Sequence, residues 1–490
     1  MNIDGDFGLL SPVSASPLVA ALTGDHAVVA AILAVEAAWA SVLEDAGLAP
    51  AGSAAVVAHA ADPAHYDVAS IAERAQGGGN PVIPLLAELR KNVKTADAER
   101  GHVGAGAAVH TSLTSQDVLD TALMVMIRNV RGALLAEVKG TTTALAALAE
   151  HHTDTLCVGR SLTQHALPFT FGLRAAQWFQ GIAAAARRLQ SLELPVQFGG
   201  AGGTLASAAV LAGDSPLSPF DLADALAARL GLAPAPAPWQ TSRLAVTGVG
   251  DALAALSDSF GKMAADLLFL SRPEVAELGE PLAAGRGGSS AMPQKQNPVL
   301  SILVRSAALQ APGLAAQMHT AAANFNDERP DGAWHSEWPA LRELLRLTLG
   351  AASQLKELAG GLRVFPDAMR RNLDISGPLL LSEKVMAVVV PLLDTDHGEA
   401  KARLQAVVDE TLHAPAGTRS EKEEQSLLYA RLLRDAVPAD KLSDAELDAL
   451  LDPANYVGEA VEIARRILAA FPEYAGNPET TRIPKEANRG

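Results

Sequence analysis

The chain has 490 residues, 49% hydrophobic but only 4% aromatic and 19% charged, with a formal net charge of −16. That length exceeds one simple core, and points to two or three domains or one elongated helical body. The acidic balance excludes broad binding to nucleic acid or to an anionic membrane, and the single cysteine, Cys157, excludes an internal disulfide and any thiolate-rich metal site.

The opening MNIDGDFGLLSP has acidic groups and no basic region, so no secretory leader is expected. The apolar run Ala27 to Val35 stops at Glu36, and is expected to fall far short of a membrane span. A soluble cytoplasmic protein is the resulting expectation. Asp25 can cap a helix running through Val35 and Trp39 toward Gly47. A second long helix should follow Ser115 and Gln116, and others fit Phe169–Leu192, Arg243–Leu270, Pro298–Asn324 and Leu341–Leu358. Alanine and leucine lose little on entering a helix, so these windows predict an all-α chain built on a bundle. Glycine-rich interruptions fall at Gly77–Gly79, Gly101–Gly106, Gly199–Gly203 and Gly285–Gly288, while APAPAPW, ending at Trp239, reads as an extended connector. Beyond Gly360 the chain turns more charged, the stretch 413–425 reads as irregular, and the tail after Pro478 reads as disordered.

The strongest chemical signal is the segment from Gly287 to Pro298, GGSSAMPQKQNP. Small flexible residues expose backbone N–H groups, two hydroxyls stand side by side, and Lys295 and Asn297 follow. Such a loop can cradle developing negative charge; a plain turn-rich surface loop has the same composition. Gly199–Gly203 lacks the lysine of a phosphate loop, and no His/Asp/Glu spacing reads as a metal site. His335 is expected to bond locally, His151 and His152 to end a helix in solvent, and Trp178, Trp334 and Trp338 to pack in cores. His165 reads equally well as structural or functional.

The segment GSSAMPQKQNP resembles the signature loop of the fumarase/aspartase superfamily. The run His110 to Asp117, HTSLTSQD, is similar to that superfamily's first shared segment, and Gly159 to Pro168, GRSLTQHALP, to its second. QFGGAGGT at 197–204, RPDGAWHSEW at 329–338 and LLDPANYVGEA at 450–460 resemble the lactonising branch, the 3-carboxy-cis,cis-muconate cycloisomerases. The resemblance implies three helical domains, taken here as 1–108, 109–358 and 359–490. It also implies a central long-helix bundle that forms a homotetramer, with active sites shared between subunits.

It further implies a small polycarboxylate substrate and no cofactor or metal. Ser289 would be the catalytic base, assisted by Lys295, with His110 orienting a carboxylate; Thr114, Ser115, Gln164, Arg243, Ser290, Met292, Asn297 and Arg329 would bind substrate. The expected reaction converts 3-carboxy-cis,cis-muconate to 4-carboxymuconolactone through an aci-carboxylate intermediate. The alternative is a lyase releasing fumarate from a substituted succinate. Many members carry a His, serving as general acid, where Leu162 stands here. A carboxylate leaving group needs no protonation whereas an amine does, so Leu162 favours lactonisation. Thr111, Ser112, Leu113, Gln240 and Leu244 depart from the commoner pattern, which bears on the distal substrate contacts.

Overall fold

The alanine- and leucine-rich windows do become helices. A computed structural model describes residues 8–101, 104–288, 291–292, 294–415 and 417–476. Its long helices are α1 (Asp25–Asp45), α2 (Val82–Glu99), α3 (Ser115–His151), α4 (Phe171–Gln190), α5 (Leu244–Leu270), α6 (Val299–Ala322) and α7 (Gly332–Gly360). Asp25 is the first residue of α1 and Gly24 caps it, so the expected cap sits one residue inside the helix. The window expected at Leu341–Leu358 extends back to Gly332, because the aromatic turn Ala333–Trp338 joins the same helix.

Two compact units emerge. The first comprises residues 1–138, 184–262 and 302–356; the second comprises 139–183, 263–301 and 357–490. In the first unit, Ile32, Val35, Trp39 and Leu43 of α1 pack with Leu85 and Leu89 of α2, Val118 and Ala122 of α3, and Phe198. All but Phe198, 4% exposed, have at most 2% of their surface exposed, so this face of α1 is a true core face.

The second unit contains a β-hairpin among its helices. Strands β1 (Leu156–Ser161) and β2 (Gln164–Thr170) pair antiparallel, Leu156 opposite Thr170 and Ser161 opposite Gln164, with an irregularity at Gly159/Arg160. The sequence windows place a helix start at Phe169, but β2 holds that position and α4 begins at Phe171. A shorter helix, α8 (Pro366–Asp374), leads to α9 (His397–His413) and α10 (Arg419–Ala436). The stretch 413–425, expected to be irregular, is helical from Arg419, because Thr418 and Glu421 form a reciprocal capping box. The tail after Pro478 lies outside the described residues.

Two helical stretches, Pro17–Asp45 and Val299–Ala322, are long and apolar enough to cross a membrane by length and composition. The run expected to end at Glu36 is therefore part of a longer apolar helix, in which Glu36 is itself completely buried.

Candidate functional site

In the first unit, the HTSLTSQD segment enters α3 through a strained turn. His110 and Ser112 both have positive φ, +58° and +64°, a conformation that costs a non-glycine residue about 1–2 kcal/mol. Side chains from elsewhere hold it. Glu36 accepts from the His110 backbone N–H at 2.9 Å and lies 2.7 Å from its Nδ1. One turn further along α1, the Trp39 indole donates to the Thr111 carbonyl at 2.7 Å. Ser112 Oγ donates to the Ser207 carbonyl at 3.1 Å.

Asp117 ties this segment to the glycine-rich one. Its carboxylate accepts from the backbone N–H groups of Thr114, Gly199 and Gly200 and from the Gln197 amide. Burial pushes its carboxyl up to about 6, although all four hydrogen bonds oppose the shift. Gly199 allows this approach, since a Cβ there would lie 2.8 Å from both the Gln240 amide oxygen and Pro238. Gln240 in turn donates to the Glu328 carbonyl at 2.5 Å, fixing the loop that carries Arg329.

Of the expected substrate contacts, this unit brings together Thr114 and Arg329. Arg329 is exposed, and its Nη1 donates to Thr114 Oγ1 at 2.9 Å. A hydroxyl that accepts from a guanidinium keeps its own O–H to donate outward. Ser115, half-buried, is the first residue of α3.

Arg243 is a correction. Expected to grip a substrate carboxylate, it grips two of the protein's own. Its Nε and Nη2 donate to Glu337 at 3.1 and 2.6 Å, its Nη1 and Nη2 to Asp120 at 2.7 and 2.9 Å, and Nη1 also to the Gln240 carbonyl at 3.4 Å. A guanidinium has five N–H donors, so this set leaves none for a ligand. All three charged side chains are 0% exposed, and the guanidinium carbon lies 4.9 Å from the ring centroids of both Trp239 and Phe325. Burial alone would push Arg243 down; the Asp120 charge and the Glu337 hydrogen bond lift it above its ordinary value.

The second unit carries the other two segments. Ser161–Gln164 turns β1 into β2, with Leu162 and Thr163 at φ +49° and +71°. That is the φ pattern of a type I′ turn, which usually calls for Asn or Gly. Leu162 is 94% exposed at its tip, and Gln164 is exposed beside it. The hairpin is anchored by Arg160, which donates to the fully buried Glu277 at 2.5 and 3.3 Å; Asn372 donates to the same carboxylate at 2.8 Å. His165 Nδ1 lies 3.0 Å from Ser376 Oγ.

Ser289 and Ser290 lie outside the described residues. Around them the loop is pinched at its neck, where the Asn297 backbone and side-chain N–H groups both donate to the Gly287 carbonyl, at 2.8 and 3.0 Å. Asn297 thus braces the loop. Met292 and Lys295 are exposed. Beyond the loop, Glu280 accepts from the N–H groups of Leu300 and Ser301, capping the start of α6. Among the described residues, no group of three His, Cys, Asp or Glu side chains could hold a metal ion.

His335 bonds the Gly79 and Asp331 carbonyls, and Trp178 and Trp334 are buried, as expected. Glu36, Asp120 and Glu337 were not singled out from sequence as parts of the site. Glu36 carries a faint signal, a lone carboxylate in an otherwise apolar run; Asp120, three residues after Asp117, and Glu337, two after His335, carry none.

The profile of a family described as Lyase matches residues 16–313. The chain is 41% identical to a nitrosuccinate lyase of Streptomyces davaonensis, over 94% of each chain. It is 37% identical to a 3-carboxy-cis,cis-muconate cycloisomerase of Bradyrhizobium diazoefficiens, over 94% of this chain and 97% of that one. The crystal structure of the 3-carboxy-cis,cis-muconate lactonizing enzyme from Pseudomonas putida superposes with a TM-score of 0.82 at 31% identity, covering 96% of this chain and 100% of that one. The profile match, these identities over nearly the whole chain and the shared helical architecture make this chain a member of the Lyase family, an enzyme of the lyase and cycloisomerase type with the fumarase/aspartase fold.

Proposed function

We propose that the protein lactonises 3-carboxy-cis,cis-muconate to 4-carboxymuconolactone, as the soluble, cytoplasmic homotetramer of three-domain subunits that its family resemblance implies. The supporting observation is the tip of the β1–β2 turn, where Leu162 stands in place of a general acid. One substrate carboxylate oxygen adds to the alkene, and the electron pair moves onto the carbon α to another carboxylate. Ser289 donates its hydroxyl proton to that carbon, and solvent later restores it. Lys295 and the loop's backbone N–H groups offset the charge on the aci-carboxylate and on the serine alkoxide. Arg329, with Thr114 oriented by it, holds a second carboxylate. Ser115 extends the polar wall, and Gln164 is supplied, as the family resemblance implies, by another subunit. Arg243 supports this wall from behind.

A second reading is favoured by the nitrosuccinate lyase relative. Nitrite, like a lactone carboxylate, leaves as a weakly basic anion and needs no protonation, so Leu162 suits both reactions. The deciding experiment is a paired assay of purified protein. One arm follows ultraviolet loss of 3-carboxy-cis,cis-muconate; the other follows fumarate release from nitrosuccinate, argininosuccinate and adenylosuccinate. Loss of the muconate signal, abolished in Ser289→Ala, supports lactonisation. Fumarate from nitrosuccinate with inert muconate moves the assignment to the lyase. Release from an amine-leaving substrate would overturn the acid-free mechanism itself.

A further inference from the structure

Glu36 lies 74 residues before His110 and is fully buried, yet both its oxygens engage that one residue. Oε2 accepts the backbone N–H and so holds the strained φ of +58° in place. Oε1 lies 2.7 Å from Nδ1. An ionised carboxylate can only accept, so Nδ1 must carry a proton in this pair. The His110 side chain is 13% exposed, and Nε2 has no partner among the described residues. A simple anchor for a loop would need only the backbone contact, and Trp39 already supplies a second backbone anchor to Thr111 from the same helix.

We infer that Glu36 is the positioning residue of His110: it fixes the Nδ1–H toward its own Oε1 and so leaves Nε2 as the ring atom presented to a carboxylate of the substrate. The inference deepens the functional reading above, since it rests on His110 meeting the polycarboxylate.

Two measurements test it. A neutron structure of the deuterium-exchanged full-length protein should place deuterium on His110 Nδ1, directed at Glu36 Oε1. Deuterium on the Glu36 carboxyl with a bare Nδ1 would overturn the assignment. This arm needs neither a variant nor a substrate, so it stands even if no polycarboxylate is turned over, a result that would sink only the functional reading.

The second arm is a double-mutant cycle on kcat/KM with whichever substrate the wild type converts. Glu36→Gln keeps the volume but turns an amide N–H₂ toward one of the two donors, and should lower kcat/KM by about tenfold or more. In a His110→Asn background the same change should cost almost nothing, because Glu36 would act through His110. Equal losses in both backgrounds, or full activity in His110→Asn, would show Glu36 to be a structural anchor alone.

Discussion

A buried carboxylate can be held by hydrogen bonds and still resist ionisation, and Asp117 shows both. With its carboxyl raised from 3.8 to about 6, the folded state binds this proton more tightly than the unfolded chain does. Its stabilising contribution is therefore fully present below pH 3.8 and is lost as the pH rises through about 6. At about 1.4 kcal/mol per pH unit, the whole span is roughly 3 kcal/mol. Asn at 117 does not titrate. The stability of wild type minus that of Asp117→Asn should thus increase by about 2–3 kcal/mol from pH 7 to pH 4, read from urea midpoints at each pH. A flat difference would mean that water reaches the carboxylate. Arg243 presents the opposite case, a cation between two buried anions. Arg243→Met leaves Asp120 and Glu337 buried without their counter-charge, and should destabilise by about 3–5 kcal/mol in chemical unfolding. Wild-type stability in that variant would show that the triad is open to solvent, and would return Arg243 to the list of substrate contacts.

At the scale of elements, the signature loop depends on its neck more than on its flexibility. Gly287 has φ +70°, and a Cβ there would stand 2.5 Å from the Asn297 carbonyl oxygen. Gly285 has a similar φ of +78°, but a Cβ would meet nothing within 4 Å. Comparing the two alanine variants therefore separates backbone strain from closure of the loop. Gly285→Ala should cost only the strain, about 1–2 kcal/mol of local stability. Gly287→Ala should add displacement of Asn297, and lower kcat at least about tenfold with little change in the thermal midpoint, since a misplaced catalytic loop is felt mainly in the transition state. Equal activities for the two would mean that the Gly287–Asn297 contact is incidental. The helices around this loop were legible because alanine and leucine recur at helical spacing over long windows. The β1–β2 hairpin was not, for its turn is made by Leu162 and Thr163, residues that carry no turn signal. Arg243 was misread for a related reason: sequence displays the charge but not the carboxylates 123 and 94 residues away that neutralise it. The motif segments themselves were read directly, whereas the hydrogen bond that joins Arg329 to Thr114 was not, because nothing in the sequence ties two residues 215 positions apart.

The whole molecule raises the question of why the polar segments are scattered along the chain. His110, Thr114 and Arg329 belong to one compact unit; Gln164, Lys295 and Asn297 belong to the other. The family resemblance implies that different subunits of a tetramer supply these segments to each active site. Ser289→Ala in the signature loop and Arg329→Ala in the segment proposed to bind carboxylate, each expected to be inactive, then carry their lesions in different contributions to the site. In a randomly mixed tetramer, a site drawing its loop from one subunit and its Arg329 from another receives both intact in about a quarter of cases. Co-refolding equal amounts of the two inactive proteins should therefore restore up to about a quarter of wild-type activity, while each parent refolded alone stays inactive. If both segments of a site came from the same chain, every mixed site would keep one lesion and no activity would return. The same preparation, run by sedimentation, should give a tetramer; a fully active monomer would exclude shared sites altogether.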